Sequence, residues 1–404
     1  MSKLSFVKVN SVSIAALAVT VSLGVASCDT AKKAAPKTSA PSTSNAPTKP
    51  ANVLSEAKAA VELAYKGSYG TPPKSGPKAV RGKKLWVISC SDLLESCSVP
   101  GHHAVEAAKE LGWDVTYAEG QLQASVTAER IRSAVAAGAN AIILVASDCP
   151  QVQGPLQEAH DAGVVLVGIY SFDCNDPSIE NGKSLFDAQA LATFPGNAAE
   201  QQREWGKIKA DWIIANSNGK ATLIQLNANE RLVIRHTNEG FDTEFARCAG
   251  CKELGRVEAT DSDILQLTPA LQKGATAISQ HPETEFIHAP IDAIVPLLVL
   301  PAIRSSGADI SAQLVGGEGL TANMDLIRSG DQAVALAYPH EWMAWSAVDI
   351  TNRIFAKADP TVNQGISWQL VDKDHNLPAS GPYVPPVDFK AAYREVWGVT
   401  ANSK

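Results

Sequence analysis

The chain lacks any apolar run of the roughly 20 residues that a bilayer core demands. Its most apolar stretch, Val12 to Val25, is broken by Ser13, Thr20 and Ser22, which excludes a mature spanning helix there. It also lacks an excess of positive charge. Thirty-five Lys and Arg stand against 42 Asp and Glu, a net charge of −7, which argues against nucleic acid or an anionic membrane surface as partner. Catalytic motifs are missing as well. No Gly-x-Ser-x-Gly elbow, phosphate-binding glycine loop or His-Glu-x-x-His occurs, and Gly316-Gly317-Glu318-Gly319 does not have dinucleotide spacing. Nothing recruits a nucleophile and a base, so a non-enzymatic role without cofactor or metal is expected. His102 and His103 are adjacent on an expected helix and point in different directions, which suits a solvated face or a packing role better than a metal. Pro100-Gly101 before them reads as a helix start.

What is present begins at the N-terminus. Lys3 and Lys8 precede the apolar stretch, and Ala26-Ser27-Cys28 follows it. A positive start, a short apolar run and a small-residue exit read as an export signal. The position of Cys28 resembles the lipobox of bacterial lipoproteins, with Val25 and Ser27 where that family prefers Leu and Gly or Ala. The resemblance implies that Cys28 is acylated, becomes the first mature residue and anchors the chain at the outer side of a cell-envelope membrane. The competing reading is a plain secretory signal with a chance cysteine. Removing residues 1–27 takes away two lysines and no acid, so the net charge moves from −7 to −9. Residues 28–53 are rich in Ala, Pro, Ser, Thr and Lys without an aromatic residue, a composition that stays solvated as a tether. Residues 54–83 form an extension with one helix. The remainder exceeds what one core supports, so two domains are expected.

Seven cysteines are present. With Cys28 assigned to lipid, six remain in an exported chain, where disulfides persist. Cys90 and Cys97 bracket a short loop, Cys248 and Cys251 form Cys-x-x-Cys, and Cys149 and Cys174 are left. Connectivity among six cysteines is an inference. Cys248 and Cys251 also fit half a metal site or a redox couple, although no further ligands lie at zinc spacing.

From Lys84 onward strands and helices alternate. Leu85–Ile88, Trp113–Tyr117, Ala141–Val145 and Val164–Ile169 are β-prone, and His102–Leu111, Thr127–Ala137 and Gln151–Ala162 are helical. A second round has helices at Ala198–Asn216, His236–Arg247, Thr268–His281, Thr321–Arg328 and Glu341–Phe355. Its strands fall at Ala221–Leu226, Arg256–Ala259, Phe286–Ala289, Gln313–Val315, Ala333–Ala337 and Ile366–Val371, before a last helix at Phe389–Val396. Pro296 and Pro301 weaken a helix over Asp292–Ser305, since proline costs about 3 kcal/mol in a helix interior. Apolar strands with little alternation, each followed by a helix, predict parallel sheets covered on both faces. The fold class is α/β: two similar doubly wound lobes with a cleft between them. With strand order 2-1-3-4-5, Cys149 and Cys174 follow neighbouring strands at one sheet edge and are close enough to bridge.

The order of segments resembles the ribose-type (type I) periplasmic binding proteins of ABC importers over residues 84 to 375. The carriers are Leu85-Trp86-Val87-Ile88-Ser89, Glu106-Ala107-Ala108-Lys109-Glu110-Leu111-Gly112, Ala137-Gly138-Ala139-Asn140-Ala141-Ile142-Ile143, Asp161-Ala162-Gly163-Val164 and Arg235 with Asn238-Glu239-Gly240-Phe241. The resemblance implies lobe 1 over 84–190 and 338–376, lobe 2 over 191–337 and 377–404, and crossings near Ala190, Tyr338 and Leu377. It implies a monomer that binds a small solute, a sugar first of all, and presents it to a transmembrane permease. Carried over by position, the solute contacts are Ser91, Asp92, Asp148 and Tyr170 from lobe 1, Asn229, Arg235, Asp292 and Glu318 from lobe 2, and Tyr338 at the hinge. Carboxylates and Arg make strong charge-assisted hydrogen bonds to hydroxyls. An acid after a strand also serves as a turn or helix cap. The aromatic pair that the family has after its first strand is absent; Leu93, Leu94 and the Cys90–Cys97 loop stand there, which leaves an aromatic or less hydroxylated solute open. A sugar-responsive DNA-binding regulator would need a helix-turn-helix where the export signal sits. A lipoprotein that signals to a membrane kinase instead of an importer is the remaining alternative.

Overall fold

The computed structural model describes residues 50–180, 182–309 and 311–400. The export signal, Cys28 and residues 28–49 of the expected tether lie outside the described residues. Helix α1 (Pro50–Lys66) opens the described chain. Residues 50–53, expected as tether, are helical. Proline is tolerated in a first turn, where its missing N–H has no helical partner, and Val53, Ala57, Val61 and Ala64 recur on one buried face.

The first sheet has strands β1 (Lys84–Ser89), β2 (Asp114–Glu119), β3 (Ala141–Val145), β4 (Val165–Ile169) and β5 (Ala188–Gln189). Its order is β2-β1-β3-β4-β5, all parallel, the doubly wound arrangement expected from the sequence. Helices α2 (Glu95–Glu110), α3 (Ala124–Ala136) and α4 (Gln153–Asp161) link them. Every residue of β3 is buried, as its unbroken run of aliphatic side chains requires of a central parallel strand.

The second lobe begins with α5 (Ala198–Asn216). Asn197 and Glu200 form a capping box at its start, each side chain bonding the other's backbone N–H. Strands β6 (Thr222–Asn227), β7 (Lys252–Glu258), β8 (Phe286–His288), β9 (Gln313–Glu318), β10 (Val334–Ala337) and β11 (Gln369–Asp372) make a sheet of order β11-β10-β9-β8-β6-β7. Helices α6 (Leu232–Phe245), α7 (Asp261–Gln266), α8 (Thr268–Gln280), α9 (Leu300–Ser306) and α10 (Thr321–Ser329) surround it. The proline-bearing segment is a π-helical turn, Val295–Val299, running into α9, since each proline removes one backbone donor.

Two expected lobe assignments need correction. Strand β11 does not belong to the first lobe: it pairs antiparallel with β10, where Leu370 and Val371 close an otherwise open sheet edge. Helix α12 (Phe389–Trp397), expected in lobe 2, stacks on α11 (His340–Phe355) in lobe 1. Trp397 lies 5.5 Å from Trp345 and Phe389 lies 5.6 Å from Trp342, and Lys390 and Arg394 pair with Glu106 and Glu110 of α2. Beyond β1 the chain therefore passes between lobes over 190–197, 338–340, 355–369 and 372–389, more often than the three crossings expected.

Cys90 bonds Cys97, Cys149 bonds Cys174, and Cys248 bonds Cys251. The first two bridges fasten loops at the C-terminal edge of the first sheet. Among the described residues, no helix is long and apolar enough to cross a membrane.

Candidate functional site

The carboxyl ends of both sheets face one another, the position at which open α/β sheets bind ligands. Three strand ends there carry a left-handed backbone on residues other than glycine: Ala146 after β3 (φ 49°), Tyr170 after β4 (φ 51°) and Glu318 at the end of β9 (φ 96°). Such conformations cost about 1–3 kcal/mol each and persist where the surroundings over-determine them. All three residues line one cavity of about 40 Å³ between the lobes. From lobe 1 come Leu94 and Ser96, at the start of α2 inside the Cys90–Cys97 bridge, and α11 adds His340. From lobe 2 come Gln202 and Trp205 of α5, then Arg231, Val233 and Ile234 at the start of α6. Ile291 and Tyr338 complete the wall. Gly317 on β9 is required beside it, because a Cβ there would meet the Trp205 ring at 2.6 Å.

Polar bonds draw the lobes together around this cavity. Ser96 donates to Glu318 Oε2 at 2.7 Å. The Arg231 guanidinium donates to the Ala146 carbonyl at 2.6 Å and to Asp261 at 2.8 Å. Asp148 accepts from Phe172 N–H of its own lobe at 3.1 Å and from Leu232 N–H of the other at 2.7 Å. His236 on α6 faces Asp176, in the loop between β4 and β5, at 3.0 Å.

Burial dominates the electrostatics. It pushes the Glu318 carboxyl up to about 7, while Ser96, the Asp292 N–H and the Lys209 ammonium hold it from rising further. It pushes Lys209 down to about 7 against the pull of Glu318 and Asp292. Lys209 donates to the Pro290 carbonyl at 2.7 Å and lies 3.9 Å above the Trp205 ring. Burial also takes His340 down to about 3, so its imidazole is neutral at ordinary pH.

Of the residues expected from sequence, Tyr170, Glu318 and Tyr338 line the cavity. Arg235 lines a polar outer crevice of about 440 Å³, and Arg231 forms a wall of both spaces. The other five expected residues lie outside the cavity wall. Asp148 is occupied by the two N–H groups already described. Asp292 accepts from Gly317 N–H at 2.9 Å, Gly319 N–H at 2.6 Å and Leu320 N–H at 3.0 Å. Ser91 accepts from Leu93 N–H. Asp92 is exposed and accepts from the Tyr117 hydroxyl. Asn229 bonds Glu258 and Asn238. Sequence reasoning missed Ser96, Gln202, Trp205, Arg231 and His340. For Arg231 the cause is one helical turn: α6 begins at Leu232, not His236, so the arginine at its mouth is the earlier one.

A family model described as "Periplasmic binding protein domain" matches residues 100–359. The chain belongs to that family. The periplasmic binding protein domain has solved structural relatives at low identity. One is a galactofuranose binding protein, 17% identical with a TM-score of 0.59, covering 79% of this chain and 99% of that one. Another is an ABC transporter solute binding protein from Agrobacterium vitis, bound with alpha-D-tagatopyranose, 14% identical with a TM-score of 0.62, covering 72% and 95%. A third is the 5-methylthioribose transporter solute binding protein from Thermotoga lettingae TMO, 17% identical with a TM-score of 0.58, covering 81% and 100%. No curated protein matches this sequence as a relative.

Outside the cleft of this periplasmic binding protein domain, His103, Glu106 and Glu341 gather on α2 and α11. Lys390 pairs with both glutamates, so an ammonium already bridges the two carboxylates.

Asp292 is expected to act on stability. Asp292→Asn keeps one acceptor oxygen but turns an amide toward backbone donors, at a cost of about 2 kcal/mol. A lower melting temperature, with ligand affinity of the folded fraction within threefold of wild type, is the expected result. A selective loss of affinity without loss of melting temperature would return Asp292 to the binding set.

Proposed function

We propose that the protein is an extracytoplasmic receptor that encloses a small solute, a sugar or sugar derivative, between its lobes and delivers it to an ABC transporter permease. The observation that carries the reading is the cavity walled by both lobes at the sheets' carboxyl ends. Its volume of about 40 Å³ is far below the roughly 300 Å³ at the lower end for ligand pockets. A ring-sized solute therefore enters only when the lobes part, and closure returns binding energy through contacts from both sides. Family membership and the sugars named for structural relatives support the solute class and the extracytoplasmic setting. Cys28 is proposed as the lipid attachment point that holds the receptor at the membrane.

Thermal-shift screening of the mature chain against pentoses, hexoses and their derivatives tests this. A ligand should raise the melting temperature by mass action, and X-ray scattering should show a more compact particle in its presence. A folded protein unmoved by every compound, or chemical turnover of a bound one, overturns the reading. A labelled fatty acid should be incorporated by wild type and not by Cys28→Ser; an unlabelled wild type ends the anchor proposal.

A further inference from the structure

Resting on the receptor reading above, the cavity wall narrows the solute class. Its surface is mainly apolar: Leu94, Val233, Ile234, Ile291, the Cys90–Cys97 bridge and three aromatic rings. Its charged groups are already partly engaged, with Glu318 Oε1 left without a partner among the described residues. Arg231 is held by Ala146 and Asp261, and Glu318 Oε2 takes both Ser96 and the Asp292 N–H. Gln202 donates to Thr237 at 2.7 Å. The two acids that would grip vicinal hydroxyls, Asp148 and Asp292, are filled by backbone N–H groups.

A few wall residues carry buried polar atoms with no protein partner: the Tyr170 hydroxyl, Trp205 Nε1 and both ring nitrogens of His340. Buried polar groups are almost always paired; other orphaned atoms, such as Trp345 Nε1 and Ser346 Oγ, lie off this wall, and the four on it are the ones within a solute's reach. They offer an indole N–H donor, a phenol that donates or accepts, and a neutral imidazole that does one of each. Together with Glu318 Oε1 and the Tyr338 hydroxyl, that set serves a few ligand oxygens. A hexose brings about five hydroxyls, each needing at least one partner once enclosed, and those turned toward Leu94, Val233, Ile234 and Ile291 would be bare.

We propose that the cavity takes an uncharged ring solute in which one or more hydroxyls are replaced by hydrogen or alkyl groups, a deoxy or alkylated sugar, in preference to the fully hydroxylated parent. The ring's apolar edge lies against Ile291, Val233 and Leu94, and its remaining oxygens meet Tyr170, Trp205 and His340. Tyr170 and Trp205 are specificity-determining residues in this arrangement.

Matched pairs give a test whose answer is a sign. Calorimetric titration compares D-ribose with 5-methylthio-D-ribose, D-galactose with 6-deoxy-D-galactose, and D-glucose with 6-deoxy-D-glucose. An apolar pocket discriminates a pair by about 10- to 100-fold, whereas a pocket built to hold the hydroxyl rejects its absence by about 10⁴-fold. The expected result is a preference of tenfold or more for the substituted member of the tightest-binding pair. Equal affinity, or preference for the parent, overturns this inference while the receptor reading stands. Failure of all six compounds to bind the folded chain overturns this inference, and the receptor reading falls with it only if the wider thermal-shift screen also finds no ligand. Tyr170→Phe removes only the orphaned hydroxyl. It should weaken the best ligand about three- to tenfold and leave the melting temperature of the free protein unchanged or higher; unchanged affinity removes Tyr170 from the contact set.

Discussion

Arg231→Ala should weaken solute binding by at least thirtyfold, and Arg235→Ala by less than threefold. Arg231 is 8% exposed. One arm of its guanidinium crosses to the Ala146 carbonyl of the other lobe and the other holds Asp261 within lobe 2. Truncation breaks the crossing bond, leaves a mostly buried carboxylate alone, and opens the inner cavity to the outer crevice. Removing one member of a buried, hydrogen-bonded charge pair costs about 2–5 kcal/mol, and every 1.4 kcal/mol is about tenfold in affinity. The crossing bond exists only when the lobes meet, so much of the loss falls on the closed, liganded state. Arg235 is half-buried, and its one hydrogen bond is a 3.5 Å contact to the Asn229 carbonyl of its own lobe. Titration calorimetry on both variants, with thermal melting as the folding control, separates them. Equal losses, or a near-neutral Arg231→Ala, would show that the wall is assembled differently in solution.

The contrast between these arginines shows what a sequence discloses of such a site and what it withholds. Unbroken aliphatic runs such as Ala141–Val145, five residues long and flanked by turn residues, read as buried strands, and their alternation with helices points to parallel sheets. Glu318 and Tyr338 were reachable because both stand at strand ends, where the topology itself places ligand contacts. Asp148 and Asp292 stand at strand ends too, yet what they bind is set by N–H groups far along the chain. Leu232 is 84 residues from Asp148, and Gly317, Gly319 and Leu320 are 25 to 28 residues from Asp292. No local pattern reports such partners. Trp205 was equally hidden. It shares α5 with Trp212, and both are buried; but the Trp212 N–H donates to Tyr65 whereas that of Trp205 has no protein partner. The start of α6 is set by Leu232 and Ile234, whose side chains belong to its buried face four and two residues ahead of the expected start at His236. Strand β11 and helix α12 exchanged lobes because a sheet edge and a tryptophan cluster, not chain order, decided where they dock.

His236→Phe should loosen lobe closure and remove a pH dependence that wild type has. The ring of His236 is wholly buried. Its Nε2 faces Asp176 of the other lobe at 3.0 Å, and its Nδ1 faces Glu239 on its own helix at 2.9 Å. Arg203 on α5 approaches Nδ1 at 3.3 Å, and Phe172 packs 5.1 Å away. Burial opposes a charge on this imidazole, but the bonds to Asp176 and Glu239 outweigh it and raise its affinity for a proton above the ordinary value. Burial likewise favours a neutral Asp176, yet the bonds from His236 and Ser178 carry that carboxyl down to about 2. The raised histidine stabilises closure fully below its ordinary value of about 6.5, and the contribution is lost as pH climbs through the raised value. The lowered aspartate stabilises closure above about 3.8, and that contribution is lost as pH falls toward 2. Closure is therefore firmest between about pH 4 and 6.5. Losing the histidine leaves Asp176 buried with only Ser178 as partner, a cost at the lower end of about 3–5 kcal/mol. Glu318 and Lys209, both near 7, titrate in the same range, so the diagnostic quantity is the ratio of wild-type to variant affinity at each pH. That ratio should be largest near pH 5.5 and shrink toward pH 9; a constant ratio would mean that His236 packs between the lobes without its proton taking part.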